Sequence, residues 1–354
     1  MSVISIINQK GGCGKTTTSI NLAATLAFKE KRVLLIDFDP QGHSTLGLGI
    51  TEDKFSYSIY QVLTEGVPID TALIPVNEKL TLLPSDIRLA ALEQKLAGTD
   101  GRENVLKNKL EEIKGDYDFM IIDCPPHLGL LSVNALMASD RLIVPVEPSR
   151  YGLDGIKKLN QTISSLCNKV GHNIKAKYLI SLFDIDSDFA HNFVKELKDK
   201  LGSDLFDTQI HRTSVVREST HLGVSVVDHD QHSISFVDFM SLAHEVILWK
   251  NEDLIKQILA DGKLEPQKTP IGICFMHKAG AAGSVQISGD FNNWDPERTP
   301  LSQINGDGLW YTILPLDEGI HKYQYVVDGE FKTDPENPNV ETSLFGASHS
   351  VLAV

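Results

Sequence analysis

Cysteine is scarce in this chain of 354 residues, and Cys13, Cys124, Cys167 and Cys274 show no C-x-x-C spacing. That excludes a disulfide framework and fits a reducing cytosol. Long apolar runs are also missing, so no segment reaches the length needed to span a bilayer. The N-terminus opens on an apolar, strand-like run without the charged and apolar regions of a secretory signal, and none is expected. Basic residues are in deficit: 33 Lys and Arg stand against 47 Asp and Glu, a net charge of −14. The deficit is spread along the chain, with 5 basic and 12 acidic residues in 265–354 and 28 and 35 in the rest. Neither part offers a broad cationic face to nucleic acid. Composition is otherwise ordinary, 42% hydrophobic and 23% charged, which excludes disordered and fibrous classes and leaves room for one large core and a second small one.

What is present begins with Lys10-Gly11-Gly12-Cys13-Gly14-Lys15-Thr16-Thr17-Thr18. The apolar run Val3-Ile4-Ser5-Ile6-Ile7 before it reads as a buried parallel strand, and Thr17 to Phe28 after it has helical patterning. Strand, glycine loop and helix form the setting of a phosphate-binding P-loop. Gly11, Gly12, Cys13 and Gly14 turn backbone N–H groups toward phosphate oxygens, aided by the helix N-terminus. Lys15 is placed to reach the β- and γ-phosphates of ATP, Thr16 to ligate Mg²⁺, and Thr17 to complete the nucleotide loop. Gln9 stands where the general pattern wants glycine, which makes this a variant form with Lys10 as an added cation. A solvated surface lysine is the alternative reading of Lys10.

Two further strands end in acids. Arg32 to Ile36 leads into Asp37-Phe38-Asp39-Pro40, and Tyr117 to Ile122 leads into Asp123-Cys124-Pro125. Open α/β sheets bind ligands at such carboxyl ends. Cys13 and Cys124 flank the site closely enough for a redox role, and inert packing thiols are the reading favoured for both.

With Leu83-Pro84-Ser85-Asp86 to Ala90 and Val144-Pro145-Val146-Glu147-Pro148 added, residues 1 to about 250 resemble the ParA/MinD family of deviant P-loop ATPases, in its ParA partitioning branch. The resemblance implies that Lys10 crosses a dimer interface to the partner's nucleotide. It further implies that Lys15 and Thr16 bind phosphate and Mg²⁺, that Asp39 orients the attacking water, and that Asp123 is the Walker B acid. For Asp37 a structural role stays open. Many ParA proteins bind DNA through late basic residues; here Arg212 and Arg217 are kept, but Val215 stands where the family often has arginine. Weak, ATP-dependent binding is expected. Lys157, Lys158, Lys195, Lys198 and Lys200 offer either a local patch or a solvated face. A MinD-like terminal membrane helix is not expected, because the chain ends in the strand-like Ser350 to Val354.

The C-terminal third changes character. A polar stretch with Gly262, Pro266 and Pro270 precedes short alternating segments at 283–289, 309–314, 322–327 and 350–354, separated by Asn-, Gly-, Asp- and Pro-rich turns. That pattern predicts a small β-sandwich. The order of Val285 to Trp294, Gly308-Leu309-Trp310, Leu316 to Gly319, Tyr325 to Gly329 and Asp334-Pro335 resembles the family 48 carbohydrate-binding module, the glycogen-binding domain of AMP-activated kinase beta subunits. Trp294 matches one aromatic platform of that module. Phe331 replaces a tryptophan at the other, Gln324 replaces a lysine, and His349 replaces an asparagine. The resemblance implies weak α-glucan binding through Trp294, Gln324, Phe331 and His349. Trp310, inside a strand, is expected in the core, while Trp294, in a turn, is open between a sugar platform and core packing in a module that binds protein.

The expected architecture is therefore a doubly wound parallel-sheet α/β P-loop NTPase over 1–262, a linker at 263–268, and an all-β sandwich over 269–354. Two functions fit. One is an ATP-dependent homodimerising switch that partitions or positions a cargo, cytoplasmic or nucleoid-associated, stimulated by a ParB-like protein. The other is a non-partitioning regulator whose sandwich serves as a protein-interaction module.

Overall fold

A computed structural model of the chain describes residues 1–149, 155–157, 161–163, 165, 172, 174–260, 262–304, 308–342 and 348–354. They form two compact units, Met1–Ala243 and His244–Val354.

The first unit is a doubly wound α/β structure on an eight-stranded sheet. In chain order its strands are β1 (Ser2–Ile6), β2 (Val33–Asp37), β3 (Ile74–Pro75), β4 (Leu80–Leu83), β5 (Phe119–Asp123), β6 (Arg141–Val146), β7 (Lys175–Phe183) and β8 (Leu205–His211). They lie side by side as β3-β4-β2-β5-β1-β6-β7-β8, with β3 antiparallel to β4 and the remaining pairs parallel. Strands β1, β2 and β5 are buried at every residue. Their near-continuous apolar character is what a parallel strand covered on both faces requires. Val3, Leu34, Ile36, Met120, Ile122 and Leu142 share one core cluster with Leu131 and Ala135 from the helix Leu130–Ala138. The chain runs from β1 through helix α1 (Lys15–Phe28) to β2 on one side, while β6 lies against β1's other side. The carboxyl end of β1 is thus a switch point, where a crevice opens.

The second unit is all-β apart from its leading helical segment. Its strands are β9 (Gln267–Thr269), β10 (Gly272–Lys278), β11 (Val285–Gly289), β12 (Ser302–Ile304), β13 (Leu309–Leu314), β14 (Ile320–Val327), β15 (Glu330–Lys332), β16 (Val340–Thr342) and β17 (Ser348–Ala353). One antiparallel sheet runs β12-β13-β10-β9; the other runs β11-β14-β17-β16, with β15 on β14. Alternation assigns the faces. Ile273 and Phe275 of β10 pack with Ile287, Tyr323, Tyr325 and Trp310 between the sheets. Cys274 and Met276 point the other way and pack with Leu248, Ile255 and Ile313. Trp310 is in this core, its indole N–H donating to the Ala279 carbonyl at 3.2 Å.

The second unit begins at His244, upstream of the 263–268 linker that composition points to. The physical reason is the cluster just described, together with a 2.9 Å hydrogen bond between His244 Nε2 and Thr312 Oγ1, which ties the helical residues to the sandwich. The apolar residues near Trp249 and Ile255 are accounted for by this packing. Among the described residues no helix is long and apolar enough to cross a membrane.

Candidate functional site

The glycine loop follows β1 directly. Gly14 is left-handed, with φ of 85°, at the N-cap of α1, and Gly12 also has a positive φ. That geometry lets the chain double back ahead of the helix without strain on a side chain. Ser181 Oγ donates to the Cys13 carbonyl at 2.8 Å and pins the loop from β7. Cys13 is buried, its thiol donating to the Lys10 carbonyl; burial raises its pKa against the opposing charge of Lys15. This is a packing thiol. Cys124 is likewise buried, with its pKa pushed up by desolvation, while Cys167 lies outside the described residues.

Lys15 is nearly buried and donates from Nζ to the Lys10 carbonyl at 3.2 Å. Its ammonium therefore sits inside the loop. Lys10 is different: its side chain is half exposed and pairs with Glu147 Oε2 at 2.5 Å. Arg212 Nη2 donates to the other oxygen of the same carboxylate at 3.0 Å. Along the sequence Glu147 is visible only as part of a strand-end motif, because nothing local shows that it lies between two cations far apart in sequence.

The acidic strand ends meet beside the loop. Asp123 pairs in register with Ile6 of β1 and with Asp37 of β2, so β5 inserts its terminal carboxylate between the two. Ser44 Oγ donates to Asp123 Oδ2 at 2.7 Å and Ser19 Oγ to Oδ1 at 3.0 Å, and the Thr16 hydroxyl bonds the same group. Burial still holds the Asp123 pKa above the usual carboxylate range. Asp37 accepts from Thr45 N–H at 2.8 Å, Thr45 Oγ1 at 2.7 Å and Asp39 N–H at 3.2 Å. Its pKa too is pushed up, by burial first and then by the charge of Asp123. Asp37 thus anchors the start of helix α2 (His43–Gly47), the structural part left open for it. Asp39, next along, is buried, with Oδ1 accepting from Gln41 N–H at 3.0 Å. Thr16, Ser44 and Asp123 give an all-oxygen donor set beside a buried ammonium, suited to a hard divalent cation and an oligophosphate. Ser19, Ser44 and Thr45 were missed, since serine and threonine carry no spacing signal of their own.

In the second unit, β14 points Tyr323 and Tyr325 inward, which places Gln324 on the outer face. Gln324 Nε2 donates to the Ser348 carbonyl at 2.9 Å, and the next residue, His349, meets Trp294 edge to face with centroids 4.7 Å apart. Trp294 is 38% exposed and Phe331 55%. Phe331 pairs with Val326, which is on the same face as Gln324. The four residues therefore share one sheet face.

Of the other basic candidates, Lys198 pairs with Asp207 and Lys200 with Glu196, so both are locally neutralised. Arg217 is exposed on the helix Ser214–Leu222, and Lys158 lies outside the described residues.

Fold and loop together define a P-loop protein of the nucleoside-triphosphate-binding class. Residues 1–176 match a family model described as an AAA domain, and residues 271–354 match one described as the glycogen recognition site of AMP-activated protein kinase. The chromosome partitioning protein ParA of Myxococcus xanthus is 36% identical over 247 residues, covering 69% of this chain and 87% of that protein. The sporulation initiation inhibitor protein Soj of Bacillus subtilis is 38% identical over 246 residues, covering 69% and 97%. The solved structure of cobyrinic acid a,c-diamide synthase from Mycobacterium smegmatis, with bound ADP and magnesium, matches with a TM-score of 0.62 at 32% identity, covering 71% of this chain and 96% of that one. The chain belongs to the ParA family.

Proposed function

We propose that the first unit binds ATP with Mg²⁺ and acts as a homodimerising switch ATPase of the partitioning or positioning type. The observation that carries this reading is the two-lysine loop: Lys15 folded into the phosphate cradle and Lys10 held at its rim by Glu147. Lys15 would bind the terminal phosphates, and Thr16 and Asp123 would hold the cation, which supplies charge neutralisation when bound. Asp39 would orient the attacking water. Lys10, once released from Glu147, would reach the partner's nucleotide and complete the charge stabilisation only in the dimer. Hydrolysis would then be gated by assembly and would dissolve it. Slow basal turnover and stimulation by a ParB-like partner fit that gating, as does a cytoplasmic or nucleoid-associated setting.

The second unit, on the strength of the glycogen-recognition match, would bind an α-glucan weakly through Trp294, Gln324, Phe331 and His349. The exposed Trp294 and Phe331 on one face support it. Non-specific DNA is expected to bind weakly, because the charge balance is acidic and the lysines of the helix Asp188–Leu201 are partly paired.

Nucleotide binding and light scattering on the full chain test the switch. Lys15→Ala should lose both ATP binding and ATP-induced dimerisation, while Asp39→Ala should keep both and slow turnover by about a hundredfold. A Lys15→Ala variant that still dimerises with ATP would overturn the reading.

A further inference from the structure

The segment 212–226 is tied at both ends to parts of the nucleotide site. At its start Arg212 shares the Glu147 carboxylate with Lys10, the two bonds measuring 3.0 and 2.5 Å. Past the helix Ser214–Leu222, the C-cap Gly223 lies main chain to main chain against Gly49, two residues beyond α2. A Cβ on Gly223 would sit 2.7 Å from Gly49 Cα, and one on Gly49 would sit 2.9 Å from the Gly223 carbonyl oxygen. Both residues have positive φ, so neither position admits a side chain without strain as well as a clash. Three residues further, Val226 N–H donates to Asn21 Oδ1 of α1 at 2.8 Å, inside the protein. Helix α1 and the loop after α2 therefore touch this one segment directly, and the glycine loop reaches it through Glu147.

Two of those grips rest on groups that bear on the phosphates. Among the described residues the carboxylate that pairs with Lys10 also accepts from Arg212, so drawing Lys10 toward nucleotide takes away one of the two cations on Glu147. Helix α2 hangs on the acidic pair: Ser44 binds Asp123 and Thr45 binds Asp37. A shift there passes to Gly223 through a contact with no side chain to absorb it.

We propose that segment 212–226, with the exposed Arg217 on its helix, is the output element of the nucleotide site, moved at its N-terminal end through Lys10–Glu147–Arg212 and at its C-terminal end through Gly49–Gly223. The inference rests on the ATP-switch reading above. It adds the contacts by which the nucleotide state would reach that segment.

Hydrogen exchange of the full chain, with Mg²⁺ and a non-hydrolysable ATP analogue or without them, tests it. Nucleotide should change exchange in 212–226 by about fivefold or more together with 37–49. Glu147→Gln should produce the change at 212–217 before nucleotide is added and leave that at 222–226 dependent on it. Asn21→Ala should blunt the change at 222–226; it serves as the second arm because Gly223→Ala is strained in itself. Exchange that changes at 10–18 and 37–49 while 212–226 stays the same would overturn this inference alone. Failure of the analogue to bind at all would overturn it together with the switch reading.

Discussion

Lys10 and Lys15 stand five residues apart and are held in opposite ways. Lys15 is drawn into its own loop by a carbonyl, whereas Lys10 is half exposed and tethered by a carboxylate that also holds Arg212. An exposed ion pair of this kind contributes little to stability, on the order of 0–1 kcal/mol. Breaking it to engage phosphate is correspondingly easy. Lys10→Ala should therefore leave the melting temperature and ATP affinity little changed while removing ATP-induced dimerisation in light scattering. Equal loss of affinity and dimerisation would make Lys10 a phosphate ligand within its own subunit. Asp37 carries a different lesson. Two carboxylates in register on neighbouring strands repel one another, and the hydroxyls of Ser19, Ser44 and Thr45 are what make the arrangement tolerable.

Among the elements, β8 ends in a pH-sensitive anchor. His211 Nδ1 lies 3.0 Å from both Asp238 oxygens, and the bond to Asp238 raises the histidine above its ordinary 6.5 despite partial burial. Because the folded-state value is raised, the stabilisation is complete below the unfolded value of 6.5 and is lost as pH rises through the folded one. Melting temperature should fall between pH 6 and pH 8, and His211→Asn should flatten that fall. The same slope in both proteins would remove the pair from the account. In the sandwich, β14 supplies the other anchor. Tyr323 donates from its hydroxyl to Asp334 at 2.6 Å, and Ser350 Oγ accepts from Asp334 N–H at 2.7 Å, all buried. Tyr323→Phe leaves a buried carboxylate short of a donor and should cost about 1–3 kcal/mol in urea denaturation. A change below a few tenths would show that water replaces the hydroxyl.

For the whole molecule, the question is whether a ParA-family unit is tethered by its sandwich to a glucan. Trp294 is the side chain to remove, being exposed and braced by His349. If pyranose rings stack there, Trp294→Ala in the full chain should weaken maltoheptaose binding by about tenfold, the equivalent of ~1.4 kcal/mol, in isothermal titration. Wild-type protein that shows no heat at millimolar sugar would leave protein interaction as the sandwich's role. Arg217→Glu should lower ATP-dependent, salt-sensitive DNA retention. Tight binding by the ADP form regardless of that reversal would remove the segment 212–226 from DNA contact.

Much of this was legible along the chain. Strand, glycine loop and helix over residues 3–28 follow from local periodicity and from glycine's freedom, and these are short-range properties. The acids at 37, 39 and 123 could be named because each ends an apolar strand. The strand Leu309–Leu314 was readable from its alternation and its turns. Strand β10 was not, since Ile273-Cys274-Phe275-Met276 is apolar on both faces and lacks that alternation. The reason is tertiary: one face meets the second sheet and the other meets Leu248 and Ile255. Helix and sandwich fall in one unit because of the same packing. Long-range pairing likewise decided that Glu147 sits between Lys10 and Arg212, and that Gly49 touches Gly223. Residues far apart in sequence meet there because the sheet order brings them together, and no local pattern records that order.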